Sequence, residues 1–580
     1  MRRPHPMRAP FPLLLLAACA GNAPAPAAEP GVSPGWAFPP PAEVAHAANA
    51  LVVSDAPLAT QVGVEVLRAG GNAVDAAIAT AFALAVVYPE AGNIGGGGFL
   101  VARLADGTEA ALDFREKAPL GASRDMYLDE RGEVTDASLV GHLASGVPGA
   151  VAGLWAAHER FGTRPWAELL APAIRLAEEG FTVDAALARS IRGAADLLGR
   201  FPASAALLMP GGAPPAAGAR WRNPDLAATL RRIAERGPAG FYEGETADLI
   251  VAEMKRGGGL ITHEDLRRYQ ALWREPVAFE YRGHRVLSMP PPSSGGLTLA
   301  LIANTLEGYP LRELGPYSTA TLHLTAEAMR RAFADRNHFM GDPDFVSVPQ
   351  ARLLSQAYAD SLRARIDPER ASRSADVRPG LGASTESQHT THFSVVDAQG
   401  NAVALTTTIN ELYGSGVTVA GAGFLLNDEM DDFAAKPGTP NMYGLRQGEA
   451  NAIAPGKRML SAMTPTIVLD PAGAPMLITG ARGGPRIITA TFQVLSNVID
   501  HGMDIGAAVH APRIHHQHLP DELRAEPRGL TGTQLAALRA LGHALSLPPG
   551  YIGTAPSILR RNGQWTGAPD PRSGGLAAGY

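Results

Sequence analysis

Cysteine is almost absent from this 580-residue sequence, in which Cys19 is the only one, so no disulfide can form within the chain. Long hydrophobic runs are also missing, because the longest one beyond the N-terminal region, Ala76 to Val87, is too short to cross a bilayer and predicts a buried Ala-rich helix. Basic residues are not in excess either: 50 Lys and Arg face 56 Asp and Glu, and the net charge of −6 argues against nucleic acid as a partner.

The composition that is present suits a soluble globular protein. Hydrophobic residues make up 46% of the chain and charged residues 18%, which provides enough apolar side chain for a substantial core. The 64 glycines and 48 prolines predict many turns, and they are spread along the chain rather than gathered in a low-complexity segment. A chain of this length holds either several domains or one large layered domain.

The N-terminal region has the pattern of a targeting segment. Residues 1–18 combine early arginines with a short apolar stretch, and small residues directly precede Cys19, as in a bacterial lipoprotein signal. We therefore predict that residues 1–18 are a lipoprotein-type signal peptide and that Cys19 carries the lipid. The Pro-, Ala- and Gly-rich residues 19–43 are predicted to form a flexible tether.

This interpretation places the protein in the periplasm, where only the lipid anchor joins it to a membrane. The outer membrane is favoured because the residue directly after Cys19 is Ala20 and not an acidic one. The alternative is an ordinary secretory signal cut nearby, for example after Ala20, which would give a soluble periplasmic or secreted protein.

Local patterns elsewhere predict a mixture of strands and helices. The segment Leu51–Ser54 is strand-like, and Asp55 is placed to cap the helix that follows. The Asp106-Gly107 turn joins two strands, and Tyr317 to Phe339 has the periodicity of a long helix.

Residues 390–410 predict a β-hairpin, with two runs of β-branched and apolar residues on either side of a turn at 397–401. Gly400 and Asn401 are residue types that accept the positive φ of a tight turn. The polar tract 367–389 precedes the hairpin and has no sustained apolar period. A segment without regular structure of its own therefore leads into a strand that begins Thr390-Thr391.

A threonine at this place suits one kind of catalysis. If the chain is cut directly before it, the hydroxyl gains a neighbouring α-amine as general base, and a free α-amine has a pKa of about 7.7–8.0, close to neutral. The pattern alone also fits a purely structural pair of threonines, because threonine is common in strands.

A family resemblance favours the catalytic interpretation. The stretches 390–397 (TTHFSVVD) and 423–433 (GFLLNDEMDDF), together with Gly483-Gly484, resemble the γ-glutamyltransferases (glutathione hydrolases), which are N-terminal nucleophile hydrolases. The likeness runs in the family's order from about Ala48 to Tyr580. It implies an α+β fold, a four-layer αββα sandwich in which two antiparallel sheets lie between helical layers.

The resemblance implies that the chain cuts itself between His389 and Thr390. Residues 44–389 would form a large subunit and residues 390–580 a small catalytic subunit, and the two would stay together as a heterodimer. It also implies that no cofactor and no metal takes part. The substrates would be glutathione and other γ-glutamyl compounds, with water or an amino acid or peptide as acceptor.

The resemblance assigns roles to individual residues by position in the motifs. The catalytic set comprises the nucleophile Thr390, the orienting Thr408 and the oxyanion-hole pair Gly483 and Gly484. The substrate-binding set comprises Arg115 and Ser461 for the α-carboxylate, Asn410, Glu429 and Asp432 for the α-ammonium, and Tyr443 as the aromatic gate of a lid loop. An arginine suits a carboxylate because its planar fork donates two parallel hydrogen bonds.

The sequence departs from the family pattern at two places. Ala462 stands where the family commonly has a second serine, so one hydrogen bond to the carboxylate is missing. Arg482 and Pro485 flank the glycine pair, and we expect Arg482 to add positive charge there.

Three other motifs have functional interpretations that the sequence makes weaker. The glycine run 93–99 could cradle a phosphate, but no Gly-Lys-Ser/Thr follows, and close backbone packing under an active site is the simpler and favoured explanation. Ser294 could be a nucleophile, but it lacks the strand–elbow–helix pattern of serine hydrolases. A histidine-rich segment matches no common zinc spacing; its members are His510, His515, His516 and His518.

Two alternative functions compete with the γ-glutamyl hydrolase. One is a related acylase that removes glutaryl-type chains from β-lactams, and the other is a non-catalytic lipoprotein that binds amino acids or peptides in the same pocket.

Overall fold

The chain's structure is a computed structural model that describes residue 36 and residues 43–378, 390–438 and 448–580. Its strands are β1 (Ala45–Ala47), β2 (Leu51–Ser54), β3 (Gly97–Arg103), β4 (Glu109–Phe114), β5 (Phe181–Thr182), β6 (Arg220–Trp221), β7 (Leu272–Arg274), β8 (Val277–Tyr281), β9 (His284–Ser288), β10 (Thr390–Val396), β11 (Ala402–Thr408), β12 (Thr466–Leu469), β13 (Pro475–Thr479), β14 (Ile514–His515), β15 (Leu523–Ala525), β16 (Leu545–Ser546), β17 (Ser557–Arg561), β18 (Gln564–Ala568) and β19 (Leu576–Gly579).

The α-helices of the same residues are α1 (Pro57–Arg68), α2 (Ala73–Val87), α3 (Ala150–Phe161), α4 (Trp166–Glu179), α5 (Ala185–Gly193), α6 (Ala195–Gly199), α7 (Pro202–Leu208), α8 (Pro224–Arg236), α9 (Ala239–Tyr242), α10 (Gly244–Gly257), α11 (His263–Arg268), α12 (Gly295–Glu307), α13 (Leu311–Leu314), α14 (Thr319–Phe339), α15 (Gln350–Leu354), α16 (Gln356–Arg363), α17 (Arg486–Ile499), α18 (Ile505–His510) and α19 (Gly532–Ala540). Short 3-10 helices lie at Asp136–Ser138, His142–Ala144, Pro210–Gly212, Glu429–Asp432 and Glu449–Asn451.

Two antiparallel sheets of seven strands each form the centre of the fold. One has the order β1-β18-β17-β13-β12-β9-β8 and the other the order β19-β2-β10-β11-β3-β4-β7. Each sheet contains strands from before and after residue 390, so a cut at that point would leave both halves hydrogen-bonded into the same two sheets.

Alternation along the strands separates two hydrophobic cores. Val52 and Leu100 face the core formed with α1 and α2, whereas their neighbours Leu51 and Phe99 face the core between the two sheets. The second core continues past the other sheet to α12 and α17. The resulting order of helices, sheet, sheet and helices confirms the four-layer αββα sandwich predicted from the sequence.

The predicted hairpin is present as β10 and β11, which pair from Thr390 opposite Thr408 to the turn. Gly400 takes the positive φ of that turn, at 92°. Asn401 does not; instead its side-chain amide donates to the Asp397 carboxylate at 2.6 Å. The turn is thus closed by one glycine and one side-chain hydrogen bond.

Several other predicted elements are confirmed. The strands on either side of Asp106-Gly107 are β3 and β4, and the long helix is α14. Every residue of the Ala-rich helix α2 is buried. No helix within the described ranges is long and apolar enough to span a bilayer.

The prediction that Asp55 caps α1 is wrong. The N-cap residue is Ala56, and no side chain caps this end. The Asp55 carboxylate instead accepts hydrogen bonds from the hydroxyls of Thr391, at 3.1 Å, and Ser573, at 2.7 Å. The Asp55 carboxylate therefore binds two hydroxyl groups from distant parts of the chain instead of the backbone N–H groups at the start of α1.

Some predictions fall on residues outside the described ranges. These are the signal peptide 1–18, the lipidated Cys19, the cleavage-site residue His389 and the lid residue Tyr443. Of the predicted tether 19–43, only Trp36 and Glu43 are described, and the Trp36 indole N–H donates to the His510 carbonyl at 3.1 Å.

Candidate active site

The two threonines at the open end of the hairpin face each other across neighbouring strands. Thr390 begins β10, Thr408 ends β11, and the two are register partners. Both are buried, with 5% and 2% of their surface exposed. The Asn410 N–H donates to Thr408 Oγ1 at 2.8 Å, which leaves the Thr408 proton for donation.

One small cavity collects most of the site residues predicted from the sequence. We call it the threonine pocket; its empty volume is about 210 Å³. It is lined by Arg115, Thr390, Thr408, Asn410, Glu429, Asp432, Ser461, Ala462, Met463, Gly484 and Ile487. These residues come from chain positions more than 300 apart, so their convergence is a property of the fold.

The glycine pair lies in the loop between β13 and α17. Gly483 and Gly484 have φ values of 130° and 59°, which side-chain-bearing residues rarely adopt. A Cβ on Gly483 would lie 2.9 Å from the Gly553 Cα. Within the described part of the chain neither N–H donates a hydrogen bond, and α17 begins two residues later with its positive dipole end towards this loop. The loop can therefore stabilise a developing oxyanion.

The glycine run 93–99 packs directly beneath the threonines. The Asn93 amide donates to Thr407 Oγ1 at 3.1 Å and to the Thr408 carbonyl at 2.9 Å. A Cβ on Gly96 would lie 2.0 Å from that same carbonyl oxygen. The run therefore allows close backbone packing under the site, as the simpler interpretation of the sequence predicted.

Arg115, which directly follows β4, forms ion pairs with acidic side chains of the protein itself. Its guanidinium makes buried ion pairs with Glu429 and Asp432, and a third carboxylate, that of Glu116, lies 3.5 Å away. The residue predicted to bind the carboxylate of a substrate thus contacts two residues predicted to bind the ammonium. One cation facing three carboxyl groups gives the pocket an excess of acid.

Several buried acceptors near Arg115 lack a donor. Among the described residues, the unpartnered atoms include Asn410 Oδ1, Glu429 Oε2 and Glu116 Oε1. Buried acceptors without a partner are rare in folded proteins, because each loses its hydration without compensation. Asn410 and Glu429 line the threonine pocket, so a ligand with several N–H donors, such as an ammonium group, would satisfy them.

Burial changes the protonation of these acids. It raises the pKa of Glu116 from 4.5 to about 8, and it raises the pKa of Glu429 well above its ordinary value; in both cases the positive charge of Arg115 opposes the shift. Burial therefore favours the protonated form of both carboxyl groups in the unliganded protein, and a bound ammonium would favour their ionised form.

This raised pKa predicts a pH dependence of stability. Because the folded state holds the Glu116 proton more tightly than the unfolded state, its contribution to stability is complete below pH 4.5 and is lost as the pH rises through about 8. We expect the wild-type Tm to fall a few degrees more than that of Glu116→Gln between about pH 5.5 and about pH 8.5. Thermal melts across this range, with the exposed Glu65→Gln as control, measure it. Parallel Tm curves for wild type and Glu116→Gln would contradict it.

The segment carrying Ser461 and Ala462 is fixed by two serines from the loop before α12. Ser294 Oγ donates to the Ser461 carbonyl at 2.6 Å, and Ser293 Oγ donates to the Met463 carbonyl at 2.6 Å. Ser294 Oγ also accepts from Arg336 Nε at 2.8 Å. Ser294 is therefore engaged in supporting the pocket wall, with a carbonyl and a guanidinium as its contacts rather than a general base.

The clustered histidines make structural contacts. His515 lies 2.9 Å from both Thr489 Oγ1 and Gln517 Oε1, and His518 Nε2 lies 2.9 Å from the Ser374 carbonyl. Across the described ranges, no group of three or more His, Cys, Asp or Glu side chains is arranged to hold a metal ion.

Sequence reasoning missed three features of the site. Glu116 directly follows Arg115, and its position in the chain gave no sign that it is fully buried beside the guanidinium. Ile487 lines the pocket from the first turn of α17. The third feature is the position of the Arg482 guanidinium, because the sequence led us to expect its charge beside the glycine pair. It does not line the threonine pocket and instead faces Asp55 and Glu90 at 3.9 and 3.6 Å.

Comparison with known proteins gives a consistent result. The model of the Gamma-glutamyltranspeptidase family matches residues 59–580. The chain is 48% identical to a glutathione hydrolase proenzyme of a Pseudomonas species (strain A14), covering 92% of this chain and 95% of that one. It is 47% identical to the glutathione hydrolase proenzyme of Escherichia coli K12, with 92% of each chain covered. Among solved structures, a cephalosporin acylase from Bacillus halodurans superimposes with a TM-score of 0.82 at 31% identity, covering 94% of this chain and 98% of that chain.

Proposed function

The chain belongs to the gamma-glutamyltranspeptidase family of enzymes, and we propose that it cleaves the γ-glutamyl amide of glutathione and related compounds through Thr390. One observation carries the proposal: the threonine pocket joins a buried hydroxyl, a guanidinium and unpartnered acceptors in a single cavity. A γ-glutamyl group matches it, because its α-carbon bears one carboxylate and one ammonium beside the chain that ends in the scissile amide.

Activation begins with a cut before Thr390. The Thr390 hydroxyl attacks the preceding carbonyl, that of His389, and the resulting ester is hydrolysed by water, which frees the α-amine of Thr390. The products are a large subunit ending at residue 389 and a small subunit, 390–580. Mixed strand pairing supports their association: β10 of the small subunit lies between β2 of the large one and β11 of its own.

In the mature enzyme the Thr390 α-amine acts as general base for the Thr390 hydroxyl. Thr408 orients the nucleophile by donating its proton towards it. The Gly483 and Gly484 N–H groups stabilise the oxyanion as the γ-glutamyl carbonyl becomes tetrahedral, and losing one such donor typically costs about 3–4 kcal/mol. Collapse expels the amine product and leaves a γ-glutamyl ester on Thr390, which water or the amine of an acceptor then attacks.

Substrate binding replaces the ion pairs of Arg115 with Glu429 and Asp432 by ion pairs between these residues and the substrate. The α-carboxylate takes up the Arg115 fork together with Ser461. The ammonium then compensates the charge of Glu429 and Asp432 and donates to Asn410 Oδ1. Both charges of the substrate find partners that are already buried and fixed, which favours a zwitterion over a ligand with one charge.

The glutaryl acylase remains a second candidate, because the Bacillus halodurans protein is named a cephalosporin acylase. A glutaryl group keeps the carboxylate but lacks the ammonium, so it leaves the unpartnered acceptors unsatisfied. We expect kcat/KM for γ-glutamyl anilide to exceed that for glutaryl anilide by about tenfold or more. Equal values, or a preference for glutaryl anilide, would favour the acylase. The family membership argues against the non-catalytic binding protein.

Ala462 offers a direct test of carboxylate binding. It lines the threonine pocket next to Ser461, and a serine there would add one donor to a charged acceptor. We expect Ala462→Ser to lower KM for γ-glutamyl anilide about tenfold with little change in kcat. The matched variant Ser461→Ala should raise KM instead. If neither substitution changes KM, the carboxylate does not bind at this wall.

We also propose that the protein is periplasmic and that a lipid on Cys19 anchors it, preferably to the outer membrane. The signal-like residues 1–18 support this proposal. Intact-mass and N-terminal analysis of the purified protein reports the lipid and the internal cut in one experiment. A large subunit that begins after Ala20 without added mass would indicate a soluble periplasmic or secreted form.

A further inference from the structure

Arg482 directly precedes the glycine pair, and its backbone is fixed on both sides. The Arg482 N–H donates to the Thr554 carbonyl at 2.9 Å, and the Thr554 N–H donates back to the Arg482 carbonyl at 3.1 Å. The same stretch approaches closely at Gly483, where a Cβ would lie 2.9 Å from the Gly553 Cα. These contacts fix the backbone on the N-terminal side of the proposed oxyanion hole against Gly553 and Thr554.

The Arg482 side chain points away from the threonine pocket into a polar cluster behind it. The guanidinium donates to the Tyr88 hydroxyl, and it lies 3.6 Å from Glu90 Oε1 and 3.9 Å from Asp55 Oδ2. It is 19% exposed, while Asp55 is 1% exposed. The guanidinium thus lies between two carboxylates and donates to one hydroxyl, and its planar fork fixes these directions more rigidly than a lysine ammonium would.

Asp55 connects this cluster to the strand of the nucleophile. Its Oδ2, the atom nearest Arg482, accepts the Thr391 hydroxyl at 3.1 Å, and its Oδ1 is fixed by Ser573 at 2.7 Å. Thr391 is the covalent neighbour of Thr390 and lies on the opposite face of β10, the face on which Phe393 packs into the core formed with α1 and α2. A continuous path therefore runs from the nucleophile through Thr391, Asp55 and Arg482 to the glycine pair.

From this path we propose that Arg482 and Asp55 are positioning residues that hold the oxyanion-hole loop in register with Thr390. The inference rests on the proposed function and adds two positioning residues to the same site. Catalysis needs such a device because the two parts of the site come from different sheets: Thr390 from β10 and the glycine pair from the end of β13. A misplacement of about 1 Å between reacting groups can cost about a hundredfold in rate.

The proposed contacts to the carboxylate and ammonium of the substrate do not include Arg482 or Asp55. The inference therefore predicts that substitutions of these two residues lower kcat and leave KM almost unchanged. In Arg482→Gln, Asp55 and Glu90 lose their counter-charge and the loop loses its connection to Thr391. We expect kcat for γ-glutamyl anilide to fall about tenfold or more while KM stays within about threefold. Arg482→Lys should recover part of kcat, because it restores the charge without the fork.

Two further variants separate positioning from general stability. Asp55→Asn should also lower kcat, and the double variant should be no worse than Arg482→Gln alone, because both substitutions break the same path. The matched control is Arg282→Gln, which removes a similar cluster in which Arg282 Nε and the Tyr281 hydroxyl bind Asp500 at 2.9 and 2.7 Å. That cluster lies in the turn between β8 and β9, at the edge of the sheet that also contains β13, and β12 and β9 stand between β8 and β13.

The experiment measures kcat and KM of the purified mature variants, with thermal melts of each. A fall in kcat for Arg482→Gln and Asp55→Asn, absent from Arg282→Gln, supports the inference. It is overturned if kcat of Arg482→Gln stays within twofold of the control, or if the two losses multiply in the double variant. Failure of the wild type to hydrolyse γ-glutamyl anilide would instead overturn the proposed function, and the inference with it.

Discussion

Replacing Thr390 by alanine is expected to leave the chain in one piece and to abolish γ-glutamyl anilide hydrolysis. The substitution removes the hydroxyl that attacks the preceding carbonyl, and without the cut no α-amine is formed to serve as base. Because both steps depend on one oxygen atom, we expect activity to fall by at least about 10³-fold. A denaturing gel reports the cut, and a chromogenic anilide assay reports turnover.

Two further variants establish that the effect belongs to this hydroxyl. Thr390→Ser keeps an attacking oxygen and should still be cut, with reduced activity. Thr407→Ala removes a buried threonine of the neighbouring strand, which donates to the Gly97 carbonyl at 2.8 Å, and should be cut like the wild type. Two bands from Thr390→Ala would show that another residue opens the chain, and the nucleophile would have to be sought elsewhere.

Replacing Arg115 by glutamine is expected to give the second-largest loss. The variant has a neutral side-chain amide in place of the guanidinium, so it loses the fork that binds the α-carboxylate and the counter-charge of Glu429 and Asp432. Removing one partner of a buried, hydrogen-bonded charge pair typically costs about 2–5 kcal/mol, which corresponds to roughly 30- to 5,000-fold in kcat/KM. Steady-state kinetics with γ-glutamyl anilide measures this, and most of the loss should lie in KM.

Comparison of two substrates tests the charge assignment itself. Glutaryl anilide carries the same carboxylate, so Arg115→Gln should impair its hydrolysis as well. Asp432→Asn should instead act mainly on γ-glutamyl anilide, because only that substrate has an ammonium. Arg115→Lys restores the charge without the fork and should recover only part of the loss. An unchanged KM in Arg115→Gln would mean that the carboxylate binds to other residues.

The sequence predicted those features whose signals lie close together in the chain. The hairpin 390–410 is an example, because strand propensity and turn chemistry act over a few residues and specify the pairing of Thr390 with Thr408. The glycine run 93–99 was also interpreted correctly, since repeated glycine predicts close backbone approach whatever the partner. The family resemblance that the motifs carry then implied the αββα sandwich that the structure confirms.

Predictions about side-chain partners succeeded less often. Asp55 has the position of a helix cap, yet its carboxylate binds Thr391 and Ser573 from distant parts of the chain. Arg482 was expected to add charge beside the glycine pair, and its guanidinium faces Asp55 and Glu90 instead. In both cases a local rule competes with an ion pair or hydrogen bond that only the folded chain makes available.

The amino-acid sequence by itself determined the central hairpin, because strand and turn signals are local, and its contiguous motifs carried the family resemblance that implied the layered fold and a catalytic role for Thr390. The tertiary structure alone decided that Arg115 is paired with Glu429 and Asp432, that Glu116 is buried beside it, and that Asp55 joins Thr391 to Arg482. The physical reason is that the energy of a charge depends on which groups surround it and how much water is excluded. Both are set by the packing of segments hundreds of residues apart.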